Sequence, residues 1–494
     1  PIIFVITVRK SKVCAVGQAS EAPIPISTKH VARDLRLSPL SEAHIREILV
    51  HAKPEAREHP AVDLAVHLSA GNPSYAQEVL RAAASSHEWA RSATEWDPLD
   101  HEQVRRVFAV RLVGLSSDEL LILRGVAVLG RSARPRLVAE LAGLDLPAAA
   151  RLAKESYRRR IVADEDNRMI FTNDAMREYV VSQMSVLERA ATHLNAGRIL
   201  EREGGVSAGA LATHFFLGDD WTRCFSYAME AATLARDSGG NAEAAHFAEI
   251  AASAATGGDE RRVALVLRGD SMFALGDSQA AAAAFSEVLN TVVPPSLAER
   301  IRVHLRLAAA RIEACNWLAA DEALGKVQAQ ILTVEDFGAR MRFKAEHASL
   351  VLKLALRTGD RDSIAGLEHL LSQLVNDLDR QSQPEPETAM SIFMAAAVLE
   401  SLTGSGQKAV RYLAAAQPYL DLVRPGQLAR YSGLRGLVRT RLASWDAAEA
   451  DFLKAREIAM RSGDQVALMR SWNNLACVSL GTGDWDAAAR RLGE

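Results

Sequence analysis

Aromatic side chains are scarce: Phe, Trp and Tyr make up 5% of the 494 residues. That scarcity argues against one large core and for thin layers packed through alanine. A strong charge of either sign is also missing. Lys and Arg total 58, Asp and Glu 61, and the net of -3 leaves no overall field to attract nucleic acid or an anionic membrane. Local runs such as Arg158-Arg159-Arg160 read as solvated faces. The four cysteines, Cys14, Cys224, Cys315 and Cys477, lie too far apart for zinc-ligand spacing and imply no disulfide framework. They are expected to be buried or idle thiols in a reducing cytoplasm. No apolar run reaches the length of a membrane-spanning helix. Catalytic signatures are missing as well. The pair Gly325-Lys326 is followed by Val327 and lacks the upstream glycine of a P-loop. There is no serine nucleophile elbow, no His-Glu-x-x-His and no deaminase motif, and the histidines are scattered. No complete catalytic site stands out, so the chain is not expected to turn over a substrate by itself.

What is present is a repeat. Ser278 to Phe285, Trp317 to Leu324, Gly406 to Leu413, Trp445 to Phe452 and Trp485 to Leu492 share one pattern: a turn residue or aromatic, small alanines within the next turn, and a large apolar residue seven positions on. Seven positions are about two helical turns, so the first and last residues share a face. The period of about 40 residues predicts a stacked helical solenoid of the tetratricopeptide type, a binding surface more than an active site. Trp317, Trp445 and Trp485 occupy one repeat position and read as packing residues between helices. Gly-Asp pairs punctuate the region at Gly218, Gly276, Gly359 and Gly483. Glycine there supplies a left-handed helix end and aspartate caps the next helix.

Ahead of the repeats the pattern changes. Pro1 to Arg9 is apolar and β-branched, which predicts a fully buried central parallel strand, so the chain is expected to begin in the middle of an α/β domain. Helices are expected over 42–52, capped by Ser41, near 59–69 with a stop at Gly71-Asn72-Pro73, and again after Pro73. Residues 100–185 predict a winged helix: helices over Ser117–Leu129, Arg134–Leu141 and Pro147–Arg158, strands over Arg160–Ala163 and Met169–Thr172 with a turn at 165–167, and a helix from Asp174. The third helix has few side chains suited to reading base edges, so the winged helix is expected to be structural. The expected fold is mostly α: the remnant of an α/β NTPase domain over 1–97, a winged helix over 98–185, and a tetratricopeptide-type α-solenoid over 186–494.

Taken in order, Thr7-Val8-Arg9, Leu35-Arg-Leu-Ser-Pro-Leu-Ser41, Ser69-Ala-Gly-Asn-Pro73, Phe171-Thr-Asn-Asp-Ala-Met-Arg177 and the 40-residue repeats resemble the signal-transducing P-loop ATPases with numerous domains. The resemblance is closest to the large LuxR-type transcriptional regulators similar to the bacterial maltose activator. It implies a cytoplasmic protein whose full-length form binds ATP or ADP with magnesium as a slow switch ATPase, with no tight nucleotide binding expected of residues 1–494 by themselves. It also implies nucleotide-controlled self-association and an inducer, small molecule or regulatory protein, on the solenoid groove. Arg9 would match the sensor arginine facing the γ-phosphate, and Pro73 the proline packed near the adenine. Asn173 stands where the family usually has a histidine that contacts a phosphate; Asn can donate a hydrogen bond but cannot carry charge. By the same resemblance the Walker motifs would precede Pro1 and a DNA-binding helix-turn-helix would follow Glu494. DNA would be contacted only through that domain, and no membrane is implied. The alternative reading is a scaffold of the same ATPase–repeat architecture serving a cyclase, kinase or other effector.

Overall fold

The computed structural model describes residues 39–52, 62–63, 65–66, 69, 71–85, 108–291, 295–381, 384–403 and 406–493. The strand expected at Pro1–Arg9 and most of the helix expected near 59–69 lie outside them. The described chain is mostly α-helical and divides into two compact units, one within residues 30–206 with 217–220, the other spanning 207–216 and 221–494.

The first unit begins with α1 (Glu42–Ala52) and α2 (Pro73–Ser85). Ile45 and Leu49 of α1 and Ala76, Val79 and Leu80 of α2 share a small core. Next come α3 (Ser117–Leu129), α4 (Pro135–Leu141) and α5 (Leu146–Arg158), then the strands β1 (Val162–Glu165) and β2 (Arg168–Phe171) and the helix α6 (Asp174–Ser182). This is the order of a winged helix. Ser116 and Glu119 form the box that caps α3: each side chain satisfies the other's backbone amide. The strands pair antiparallel with Glu165 opposite Arg168. Their turn needs left-handed backbone at both central residues, and Asp166 (φ 53°) and Asn167 (φ 59°) provide it. Strand β1 starts two residues later than its apolar pattern suggests. The Arg160 amide bonds Tyr157 O and the Ile161 amide bonds Ser156 O, closing the end of α5 and leaving neither amide for the ladder. The long α7 (Val186–Glu203), capped by the Ser185–Glu188 box, packs on α3 and α4 with help from an Arg124–Glu188 ion pair at 3.4 Å.

The second unit is a solenoid of helix pairs. After α8 (Ala208–Leu217) the pairs are α9 (Trp221–Asp237) with α10 (Asn241–Ala254), α11 (Gly258–Ala274) with α12 (Ser278–Leu289), and α13 (Leu297–Glu313) with α14 (Trp317–Ile331). They continue with α15 (Phe337–Thr358) and α16 (Arg361–Asp379), α17 (Pro386–Thr403) and α18 (Gly406–Ala416), α19 (Pro425–Arg441) and α20 (Trp445–Ser462), and α21 (Gln465–Thr482) and α22 (Trp485–Gly493). Each expected signature begins at the first residue of the second helix of a pair. The alanine three positions on, Ala281, Ala320, Ala409, Ala448 or Ala488, is buried every time. Trp445 packs across to the following pair, where a methyl built on Gly481 of α21 would sit 2.5 Å from its ring. Three of the four Gly-Asp turns behave as expected; at Gly218-Asp219 it is Asp219 (φ 58°), not the glycine, that is left-handed. Gly276, Gly359 and Gly483 are left-handed, and Asp277, Asp360 and Asp484 accept backbone amides of the next helix.

The solenoid returns on itself. The turn between α9 and α10 meets the turn between α20 and α21: Asn241 Nδ2 donates to Ser462 O (3.1 Å) and Gly463 O (2.9 Å). Gly239 (φ 83°) and Gly463 (φ 64°) abut so closely that a Cβ on Gly463 would fall 2.0 Å from Gly239 O. Helix α21 also packs on α11. The repeat array therefore closes around a lumen lined by the first helices of its pairs.

Candidate functional site

Two groups of residues are candidates for a functional site. The first lies in the first unit and contains two of the three positions singled out by family resemblance, Pro73 and Asn173. Arg9 lies outside the described residues. Pro73 is half-buried as the first residue of α2, where its missing amide proton costs nothing. Two of the motif segments do come together: Leu40 N donates to Gly71 O at 2.9 Å, and a Cβ on Gly71 (φ 79°) would lie 2.5 Å from Leu40 O. Only glycine tolerates that approach. Asn173 caps α6, its Oδ1 accepting the Ala175 amide at 2.8 Å, which leaves the side-chain NH2 as its donor. From the same segment Arg177 reaches Ala127 O at 3.4 Å.

A buried relay joins α2 to α6. Tyr75 stands 6.5 Å from Phe108, and Phe108 stands 5.8 Å from Tyr179, centroid to centroid. Burial pushes the Tyr75 hydroxyl up to about 12. Beside it Arg111 pairs with Glu78 at 3.5 Å, both almost fully buried, and donates to Arg159 O at 2.5 Å. Arg159 in turn donates to Val113 O at 2.6 Å and pairs with Glu155. The basic run at 158–160 is thus only partly a solvated face. Arg159 is a half-buried strut, which a charge count cannot distinguish from a surface arginine.

The second group lines the solenoid lumen, and the repeat motif gave no hint of it, because a packing signature reports the buried positions. Its members sit on the opposite face of the first helices. On α15, Arg342, Glu346 and Lys353 follow a helical stripe, as do Arg306 and Glu313 on α13. Spacing along each first helix was the available signal. Asp270 of α11 pairs with Arg306 at 3.3 Å. Glu313 of α13 bridges Lys353 of α15 and Arg470 of α21, so three helices separated along the chain meet at one carboxylate. Arg424 grips Glu387 of α17 through two nitrogens at 2.7 and 2.9 Å, and Arg342 pairs with Glu385 at 2.9 Å. Arg430 of α19 forms no hydrogen bond or ion pair with a described residue.

Surrounding protein shifts the acidities of these side chains. Burial raises the carboxyls of Asp270 and Glu346 above their ordinary values although arginines surround both. Burial acts against Glu313 in the same sense, but Lys353 and Arg470 together outweigh it and hold that carboxyl low. Desolvation and then Arg470 depress Lys353, with Glu313 opposing. Desolvation and Arg470 act likewise on Arg430, against Asp464 and Glu346. A second arginine network, Arg435 and Arg439 on buried Asp451, ties α19 to α20 and is a packing element. Among the described residues no group of three or more metal-ligating side chains gathers. Cys224 is buried while Cys315 and Cys477 are exposed, all three as free thiols. No described helix is long and apolar enough to cross a membrane.

No protein-family model matches the chain, and no curated protein does. Among solved structures, the chain is similar to a signal transduction ATPase with numerous domains carrying a tetratricopeptide repeat sensor, from Pyrococcus horikoshii. The identity is 12% and the TM-score 0.34, over 92% of this chain and 65% of that one. The chain thus spans just under two thirds of that protein's length.

Proposed function

We propose that the chain is the regulatory portion of an ATP-dependent LuxR-type transcriptional regulator, in which the solenoid senses a ligand and the winged-helix unit relays its occupancy. The observation that carries the sensor reading is the closed, charge-lined lumen, where charged side chains of α11, α13, α15, α17 and α21 and Arg424 at the start of α19 converge in ion pairs. The regulator reading is supported by the ordered motif segments, two of which meet at Leu40 and Gly71.

In this reading Arg9 faces the nucleotide γ-phosphate, Pro73 lies near the adenine, and Asn173 offers its NH2 to a phosphate. ATP or ADP would be the ligand of that site. Magnesium would accompany the nucleotide in the full-length protein. The relay from α2 through Phe108 to α6 gives the two nucleotide-facing segments a shared packed element. Inducer or partner binding in the lumen and nucleotide exchange would bias one two-state equilibrium, with ATP favouring self-association and DNA contact made by a separate domain.

The test is light scattering of the full-length protein with Mg-ATP, with Mg-ADP and without nucleotide. A shift to larger assemblies with ATP alone is expected. An identical size distribution in all three conditions would sink the mechanism.

A further inference from the structure

The sensor reading leaves open which chemistry the lumen accepts, and the lumen side chains answer it. Among the described residues, the cations at the centre other than Arg430 each have a carboxylate within reach: Arg306 has Asp270, Arg424 has Glu387, Arg342 has Glu385, and Lys353 and Arg470 share Glu313. Arg430 has water. The groups that reach it electrostatically are Arg470 and Arg424, which repel it, and Asp464 and Glu346, which attract it. One oxygen of Asp464 is committed to the Ala467 amide, and burial disfavours the charged form of Glu346. The local balance is an excess of guanidinium. We propose that the lumen binds a small organic anion bearing a carboxylate or phosphoryl group, seated on Arg430 between Arg424 and Arg470.

The proposal rests on the sensor reading and deepens it. Guanidinium forks match both oxyanions in a two-pronged geometry, and the surrounding walls strengthen the attraction relative to open water. A neutral sugar would call for exposed ring faces. The aromatic residues of α19 and α21 are committed elsewhere: Tyr431 donates to Leu413 O and stacks on Arg435, and Trp472 carries Arg456. The occupant is small because the array is closed. Gly239 and Gly463 touch, and the Glu313–Arg470 pair ties α13 directly to α21.

The experiment is calorimetric titration of the full-length protein with succinate and, separately, inorganic phosphate. Mg-ADP is held saturating and ionic strength is matched with sodium chloride. Saturable binding of at least one anion is expected. Arg430→Gln should weaken it about tenfold or more, and Arg411→Gln, on the outer helix α18, should leave it unchanged. Glu313→Gln should tighten it, since Lys353 and Arg470 then lose their carboxylate. No binding of either anion, or equal binding by wild type and Arg430→Gln, overturns the proposal. So does binding of an acidic peptide alone. If no anion binds but ATP still changes the assembly size, only the ligand class is wrong. If neither responds, the sensor reading falls with it.

Discussion

A methyl group built on Gly436 would stand 2.6 Å from Cε1 of Phe452, sixteen residues later in the same helix pair. Gly269 and Phe285 repeat the relationship at the same spacing, with the corresponding contact at 2.5 Å. Where the second helix carries leucine instead, the first carries alanine: Ala308 with Leu324, Ala355 with Leu371, Ala397 with Leu413, all buried. Volume is thus traded within these five pairs, glycine against phenylalanine and alanine against leucine; α9 and α10 place Ala232 against Ala248 instead. Gly436→Ala should therefore destabilise. The gain in helix propensity is about 1 kcal/mol, and overpacking costs roughly 1–3 kcal/mol. Adding Phe452→Leu should recover stability relative to the single variant. Urea denaturation of the three proteins checks it, and additive losses would refute the volume trade.

Two repeat turns lack the glycine that their backbone favours. Cys315 (φ 58°) and Ala443 (φ 54°) hold the left-handed position that Gly276, Gly359 and Gly483 hold elsewhere. An L side chain there costs about 1–2 kcal/mol, partly offset by the extra freedom glycine gives the unfolded chain, about 0.4–1 kcal/mol. Ala443→Gly should raise the unfolding midpoint slightly, and Gly359→Ala should lower it. Thermal melts read both signs.

Asn241 is 5% exposed and makes the two hydrogen bonds that close the array. Asn241→Ala leaves the Ser462 and Gly463 carbonyls without that donor, at about 1–3 kcal/mol. Hydrogen exchange should accelerate at the turns 237–241 and 461–465 while the turn at 275–278 is unaffected. Uniform acceleration throughout the solenoid would argue that the contact is only one of many.

Acid should weaken the solenoid early. Burial depresses His214 to about 4 from an ordinary 6.5, and burial also lowers His304 and His347. A base with a depressed folded pKa stays neutral in the native state while the unfolded chain takes up a proton. Stability is then full above about pH 6.5 and falls as pH drops toward 4. His214→Gln should flatten that limb. The difference is at most about 3 kcal/mol on the rule of 1.36 kcal/mol per unit, and a parallel pH profile in the variant would remove His214 from the account.

The helix starts were legible because their signals are local. Ser117, Asp174, Ser278, Trp317, Gly406, Trp445 and Trp485 each open a helix, and each sits beside a cap or turn residue that acts within a few positions. The repeat register followed from the same residues. Two copies were missed: α10, where the position seven after Asn241 is Ala248 and not a large apolar residue, and α16, which begins at Arg361 and has Ile364, neither aromatic nor a turn former, seven before Leu371. The lumen was not legible. Glu313, Lys353 and Arg470 are ordinary surface-type residues on three helices, and only the curvature of the array brings them to one point. Closure was hidden too, since it joins Asn241 to Gly463 by geometry accumulated over every intervening repeat.

The meeting of Gly239 with Gly463 changes how the solenoid comes apart. An open row of repeats frays from its ends, because a terminal repeat has a neighbour on one side only. Here α10 and α20 each gain a second neighbour from a distant part of the chain. Opening the enclosed pairs requires either parting that seam or losing a middle repeat with contacts on both flanks. The enclosed pairs should melt as one cooperative block, with a sharpness of transition set by the ring and not by the length of the row.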